Sequence, residues 1–240
     1  MLFLILLWIF GCCFGSFILV ISLRVPLNQS IIRPRSHCEH CKTTLPILSL
    51  IPVFSYIIQK GRCLICQSVI PFYYLLIEFS TGVLVVFSFF LFKSQPLELL
   101  IAWTLIFFSL IFSLTDLFYF ILPNSLMLLF LVIILLECWY LDDFNWFHSA
   151  LNSIFILFLL LSISFVTHEG LGGGDIKFYF VLSWLLGFQG ILVAIIISCF
   201  FALIAIFISR KRLFFSLNDK LPFAPFISLG AFLVFCFQRY

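Results

Sequence analysis

What this chain of 240 residues most lacks is charge: Asp, Glu, Lys and Arg together make up 10% of it, while 64% is apolar. Soluble domains run at about 25% charged and about 45 to 50% apolar, so water is excluded as the main solvent and a lipid bilayer takes its place. Polar stretches are equally scarce. Only residues 24–71 form a run long and polar enough to fold outside a membrane. The opening residues carry no Lys or Arg before Arg24, the reverse of the basic start of a secretory signal, so residues 2–22 read as a retained first helix. A net charge of +3 says little about partners, and no nucleic acid is expected among them. The 35 Phe residues are scattered along the apolar runs and read as lipid-facing and core bulk, not as a ligand-stacking surface.

What is present is a series of apolar runs near the length of about 20 residues that spans hydrocarbon as a helix. They fall at residues 2–22, 72–92, 97–115, 121–141, 149–167, 190–209 and 221–238. A shorter run from Ile176 to Phe188, with Gly187 and Gly190 at its end, is decided by charge. If it crosses separately, all but Lys93 and Arg239 of the 13 basic residues lie on one side, as expected of the cytoplasmic face. The cluster Arg210, Lys211, Arg212 and Lys220 reads as part of that topology signal. The chain is therefore read as an all-α polytopic membrane protein of eight transmembrane helices with both termini outside. Its organisation is a first helix (residues 1–23), a cytoplasmic Cys-rich insert (24–71) and a membrane domain (72–240).

Nine cysteines divide into two kinds. Cys12, Cys13, Cys138, Cys199 and Cys236 lie in apolar runs and read as small packing side chains. Cys38-x-x-Cys41 and Cys63-x-x-Cys66 recur at a spacing that closes a tetrahedral thiolate site around zinc. A proline follows each pair at the same distance, Pro46 and Pro71, so the insert reads as two similar knuckles around one structural ion. Metal binding would supply folding free energy that so small an apolar core cannot. Paired disulfides and free thiols are the alternatives, and a cytoplasmic location argues against the disulfides. His37 and His40 flank the first pair and are spare ligands at most.

Acidic residues near hydrocarbon are costly and mark function by default. Asp116 ends a long apolar run and is followed by Pro123-Asn124; Asp175 lies in Gly170-Leu171-Gly172-Gly173-Gly174-Asp175-Ile176-Lys177. In the eight-helix topology both fall at cytoplasmic helix ends, where they can meet. The glycines permit unusual backbone angles and close approach by another chain. Two carboxylates held together share one proton, so one can deprotonate water while the other protonates a carbonyl oxygen or leaving amine. The residues alone leave a second reading open, in which each aspartate caps the following helix or Asp175 pairs with Lys177. Glu78, inside a span near its cytoplasmic end, is either a buried hydrogen-bonding partner or a contributor to the site. Asp142 and Asp143 read as a solvated outer turn, and Glu137, His148 and His168 as interfacial.

Five blocks together resemble the type IV prepilin peptidases, the membrane enzymes of the GxGD aspartic type that process prepilins and pseudopilins. They are Gly15-Ser16-Phe17 through Arg24-Val25-Pro26, Arg35-Ser36-His37-Cys38 through Gly61-Arg62-Cys63 to Glu78, Asp116 through Pro123-Asn124, Gly172-Gly173-Gly174-Asp175-Ile176-Lys177, and Pro222-Phe223-Ala224-Pro225-Phe226 with Gly230. The resemblance implies that Asp116 and Asp175 are the catalytic pair, with Gly172, Gly174, Lys177 and Glu78 in support. It implies cleavage of a short basic leader on the cytoplasmic side of a prepilin's apolar helix, usually after glycine, at the cell membrane of a prokaryote. In many members a methyl group then passes from S-adenosylmethionine to the new amino terminus, an activity associated with the Cys-bearing insert. Leu19 stands where the family commonly has Asn, which sets the transferase apart from the peptidase as an expectation. Short outer loops suit the smaller members serving competence or secretion. Two other classes remain to be told apart from this one. A proton-coupled transporter would show repeated halves, which this chain lacks, and a zinc-bearing scaffold leaves the GxGD element without a purpose.

Overall fold

The computed structural model describes residues 1–141, 144–167, 171–211 and 221–239. Expectations for Asp142, Asp143, His168, Gly170 and the side chains of the Arg210 to Lys220 cluster fall outside what is described. The helices are α1 (Leu2–Arg24), the short α2 (Phe54–Ile58), α3 (Phe72–Phe92), α4 (Pro96–Tyr119), α5 (Asn124–Trp139), α6 (Trp146–Val166), α7 (Gly173–Lys211) and α8 (Ala224–Arg239). Two 3-10 turns, Val25–Leu27 and Ile47–Leu50, lie in the insert. Among the described residues there is no strand, only the isolated bridges His37 to Thr44 and Arg62 to Val69. The chain forms two compact units, Met1–Lys93 and Ser94–Tyr240. The first unit takes in α1, α2 and α3.

In the first unit α1 and α3 pack with almost no side chain between them. A Cβ on Gly11 would stand 2.8 Å from the Gly82 Cα, and one on Gly15 would stand 2.8 Å from the Glu78 Cα. Helices in lipid gain nothing from hiding apolar surface, which the acyl chains solvate equally well. Small residues that let backbones approach supply the packing instead. Gly11, Gly15 and Gly82 form such a contact, a signal the sequence carried without its meaning being legible from composition.

The insert repeats one design twice. The Cys38 N–H donates to the Thr43 carbonyl at 3.0 Å and the Lys42 N–H to the Cys38 carbonyl at 2.9 Å. In the second copy the Cys63 N–H donates to Ser68 at 2.9 Å and the Gln67 N–H to Cys63 at 3.0 Å. Lys42 and Gln67 both turn the chain through the left-handed region, and Leu45 and Ile70 close the knuckles on Ser36 and Gly61.

The second unit is built on aromatic packing and hydroxyl bridges. Phe108, Phe112, Phe130 and Phe178 are all buried and meet ring to ring, Phe108 and Phe130 at 4.8 Å and Phe112 and Phe178 at 5.0 Å. Ser113 donates to Ser228 at 3.0 Å, joining α4 to α8, and Ser183 donates to Ser153 at 2.9 Å, joining α7 to α6. Arg239 pairs with Glu98 at 3.1 Å, and Thr104 donates to Glu137 at 2.6 Å. Glu137, two residues from the end of α5, is buried and accepts across the helices from α4.

α7 contains the shorter apolar run in its first half. Its 39 residues would rise about 58 Å as one rod, nearly twice the hydrocarbon thickness. Gly187 breaks it at φ 66°, ψ −178°, backbone angles only glycine adopts without strain. Tyr179 in the first half lies beside Ser198 and Cys199 in the second, so the two halves fold back on each other. The side-chain amide of Gln238 donates to the Leu186 carbonyl at 3.3 Å, next to the break. Five helices are long and apolar enough to cross a bilayer, and α5 and α8 are shorter apolar helices. With α7 supplying two segments, the described residues hold eight apolar helical segments in an all-α polytopic membrane fold.

Candidate active site

Asp116 lies in the last turn of α4, which runs on to Tyr119. Phe120 stops the helix in the left-handed region, and its N–H donates to the Asp116 carbonyl at 2.9 Å. Pro123 then opens α5 as its N-cap. The Asp116 side chain is buried, and its Oδ2 accepts the N–H of Ala224, first residue of α8, at 2.9 Å. A helix start leaves N–H groups without partners inside the helix, and here a carboxylate from α4 takes one of them. Pro225 in the same turn has no N–H to satisfy.

Asp175 sits in the first turn of α7, which begins at Gly173, ahead of the predicted start at Ile176. Gly172, Gly173 and Gly174 have no left-handed backbone; what matters at two of them is the missing Cβ. On Gly174 it would stand 2.8 Å from the Leu122 Cδ1, and on Gly172 it would stand 3.0 Å from the Asp175 Oδ2. Gly174 lets the start of α7 close on the turn after Asp116, and Gly172 keeps the Asp175 carboxylate clear. A second tie fixes the same register, since Lys177 Nζ donates to Asn124 Oδ1 at 2.8 Å.

The result is that Asp116 and Asp175 lie within electrostatic reach of each other. The N-terminal ends of two helices, α7 and α8, converge on the pair, and such ends carry partial positive charge. Tyr179, one turn on from Asp175, is buried beside Ser198 and feels the Asp175 charge. Beside Lys177 and Asn124 a groove opens between α5 and α7, lined by Met127, Leu128, Leu131, Phe180 and Val181. Lys177 bonds to an amide, and among the described residues no ion pair joins it to Asp175. Sequence reasoning missed Leu122, Tyr179 and the Ala224 N–H. Only the Pro222 to Phe226 block hinted at the last, because a backbone donor has no side-chain signature.

Glu78 belongs to the first unit. It is buried, and its Oε2 accepts the Val53 N–H at 2.8 Å. In the insert, the sulfurs of Cys38, Cys41, Cys63 and Cys66 all lie within 4.8 Å of one another, with Cys38 and Cys66 at 3.8 Å. Zinc–sulfur bonds of about 2.3 Å in a tetrahedron put the sulfurs about 3.8 Å apart, so the four thiols fit zinc. The Ser68 hydroxyl lies 3.1 Å from Cys66 Sγ and 3.6 Å from Cys38 Sγ. The backbone N–H of Cys41, with help from Ser68, pulls the Cys38 thiol down to about 6. Of the packing cysteines, Cys12 and Cys138 are buried while Cys13 and Cys199 are exposed on apolar spans.

A polytopic helical membrane protein with a four-thiol insert and two convergent carboxylates is the class that fold and site define. Residues 9–92 match the bacterial peptidase A24 N-terminal domain and residues 103–207 the type IV leader peptidase family. The prepilin leader peptidase/N-methyltransferase of Bacillus subtilis is 32% identical over 97% of this chain and 93% of its own length. The protein of that name from Burkholderia pseudomallei is 30% identical over 86% of this chain and 68% of its own. The type 4 prepilin-like proteins leader peptide-processing enzyme of Escherichia coli is 27% identical over 92% and 88%. No solved structure gives a significant match. The chain belongs to the type IV leader peptidase family, and it is a multi-pass membrane peptidase.

Proposed function

We propose that the protein cleaves the basic leader from type IV prepilins or pseudopilins at the cytoplasmic membrane face, with Asp116 and Asp175 as the catalytic pair. One observation carries the reading: Gly174 against Leu122 and Lys177 on Asn124 dock the two aspartate-bearing segments so that the carboxylates interact. One carboxylate accepts a proton from water as that water attacks the scissile carbonyl, and the other, protonated, donates to the oxygen and then to the leaving amine. No covalent intermediate forms. Gly172 leaves room for an extended peptide beside Asp175, and the groove by Lys177 suits the start of the substrate's apolar helix.

Zinc held by Cys38, Cys41, Cys63 and Cys66 would fold the insert and take no part in hydrolysis, since four thiolates close its coordination shell. The relatives' names support a second reaction, methylation of the new amino terminus, and that step would draw its methyl group from S-adenosylmethionine. Leader removal from a prepilin with a Gly cleavage point, assayed in membranes with Asp116→Asn and Asp175→Asn, tests the proposal. Near-normal turnover in either inserted, folded variant would sink it.

A further inference from the structure

The insert counted as cytoplasmic is not polar throughout. Between Lys42 and Lys60 the chain has no charged residue, and Ile47, Leu48, Ile51, Phe54, Ile57 and Ile58 are all exposed. Exposure to water of so many large apolar side chains on one short segment would be costly, and a contiguous patch of this kind marks a surface that is normally covered. Three contacts relate the segment to α1 and α3. Phe54 packs edge-on against Trp8 of α1 at 6.2 Å, and Trp8 packs on Phe79 at 5.7 Å. The indole Nε1 of Trp8 lies 2.7 Å from where a Cβ on Gly82 would be. From Phe72 to Gly82, α3 rises about 15 Å, half the thickness of a hydrocarbon core of about 30 Å. The Val53 bond to Glu78 lies on the way down, about 9 Å along α3 from Phe72.

We infer that residues 46–59 form a re-entrant segment whose Ile47, Leu48, Ile51, Ile57 and Ile58 face lipid acyl chains beside α1 and α3. The backbone is arranged for that solvent. Polar main-chain groups at membrane depth must be satisfied within the protein, and here Pro46 and Pro52 have no N–H to satisfy. The Ser49 N–H bonds to Pro46, and those of Ser55 and Ile57 bond to Ile51 and Val53. Val53 holds φ 64° and ψ −54°, the angles of a γ-turn closed by the Phe54 N–H on the Pro52 carbonyl, a conformation costly for a β-branched residue. That turn points its N–H at Glu78, and the buried carboxylate supplies the acceptor that water would supply elsewhere. Lys42 on one side and Lys60 with Arg62 on the other bracket the segment with charges suited to the headgroup layer.

The test places p-benzoylphenylalanine singly at Leu48, Ile58 or, as a knuckle control, Thr43, in the full chain reconstituted in phosphatidylcholine vesicles. Irradiation followed by mass spectrometry should give phospholipid acyl-chain adducts at Leu48 and Ile58, at least ten-fold above Thr43. Adducts to a second copy of the chain, to residues 94–240 of the same copy, or equal lipid labelling at all three positions would each overturn the inference. Zinc content equal to the unsubstituted protein keeps misfolding from passing as a result.

Discussion

The two compact units solve the same problem, holding polar chemistry in an apolar chain, by opposite means. In Met1–Lys93 the helices touch backbone to backbone at Gly11, Gly15 and Gly82, and the polar groups are gathered into knuckles whose sulfurs converge on one point. In Ser94–Tyr240 the helices are spaced by phenylalanines and bridged by serines, and the polar groups that matter are set at helix ends. A thiolate cluster can be built by a short local stretch that a metal then closes. A carboxylate pair from Asp116 and Asp175 cannot, because its members come from distant segments that only the surrounding protein brings together.

The comparison breaks most sharply at the aspartates. Asp116→Asn or Asp175→Asn should lower leader cleavage by about a thousand-fold or more, typical of a lost acid or base combined with loss of the shared proton. The double variant should be no worse than either single one, since the two act as a unit. Zinc content, measured by elemental analysis, should not move. If it fell in step with activity, the two units would not be independent in the way their construction suggests.

A smaller effect probes how the pair is held. Gly174→Val should push the start of α7 off Leu122 and cost about a hundred-fold in kcat, the scale of an ångström's misplacement. Adding Leu122→Ala should recover part of that loss, and steady-state kinetics of the four variants in the cycle reads the coupling. The counterpart in the first unit is Gly15→Val, which meets the Glu78 backbone. It should destabilise the α1 and α3 packing by about 1 to 3 kcal/mol, seen as a lower midpoint in thermal unfolding in detergent.

Metal removal sharpens the contrast from the other side. Chelation should leave the aspartate unit resistant to trypsin while cleavage after Lys42, Lys60 and Arg62 speeds by about ten-fold, since metal binding supplies the folding free energy of such knuckles. The smallest effect is an order of events. In the metal-free insert at pH 7, Cys38, whose thiol is pulled down to about 6, should alkylate several-fold faster than Cys63, which is buried and raised. Its pKa lies below the pH, so it is mostly thiolate, and the preference should fade as the pH falls through 6.

The sequence made legible what depends on spacing or on cost. Cys38, Cys41, Cys63 and Cys66 stand out by period, and Asp116 and Asp175 stand out because acids near hydrocarbon are rare. The break in α7 could be placed near Gly187 because counting charges on each side required it. What stayed hidden depends on partners distant in the chain. The Ala224 N–H has no letter of its own, Leu122 looks like any leucine, and Gly11 with Gly15 mean nothing until Gly82 lies across them. The apolar run containing α4 stops at residue 115 because hydropathy ends at the first charge, whereas the helix continues to Tyr119 until Phe120 turns it. The depth of residues 46–59 was missed for a related reason: flanking lysines and cysteines made a whole stretch read as polar.

The bond from Ala224 to Asp116 joins residues 108 positions apart, and this bears on how the protein is made. Membrane helices enter the bilayer in the order of synthesis, so Asp116 and Asp175 are both in place before α8 has left the ribosome. Until α8 docks, the Asp116 carboxylate lacks its amide partner. A nascent chain stalled after α7 would carry both aspartates but only part of their setting, so maturation of the site waits on the late arrival of α8.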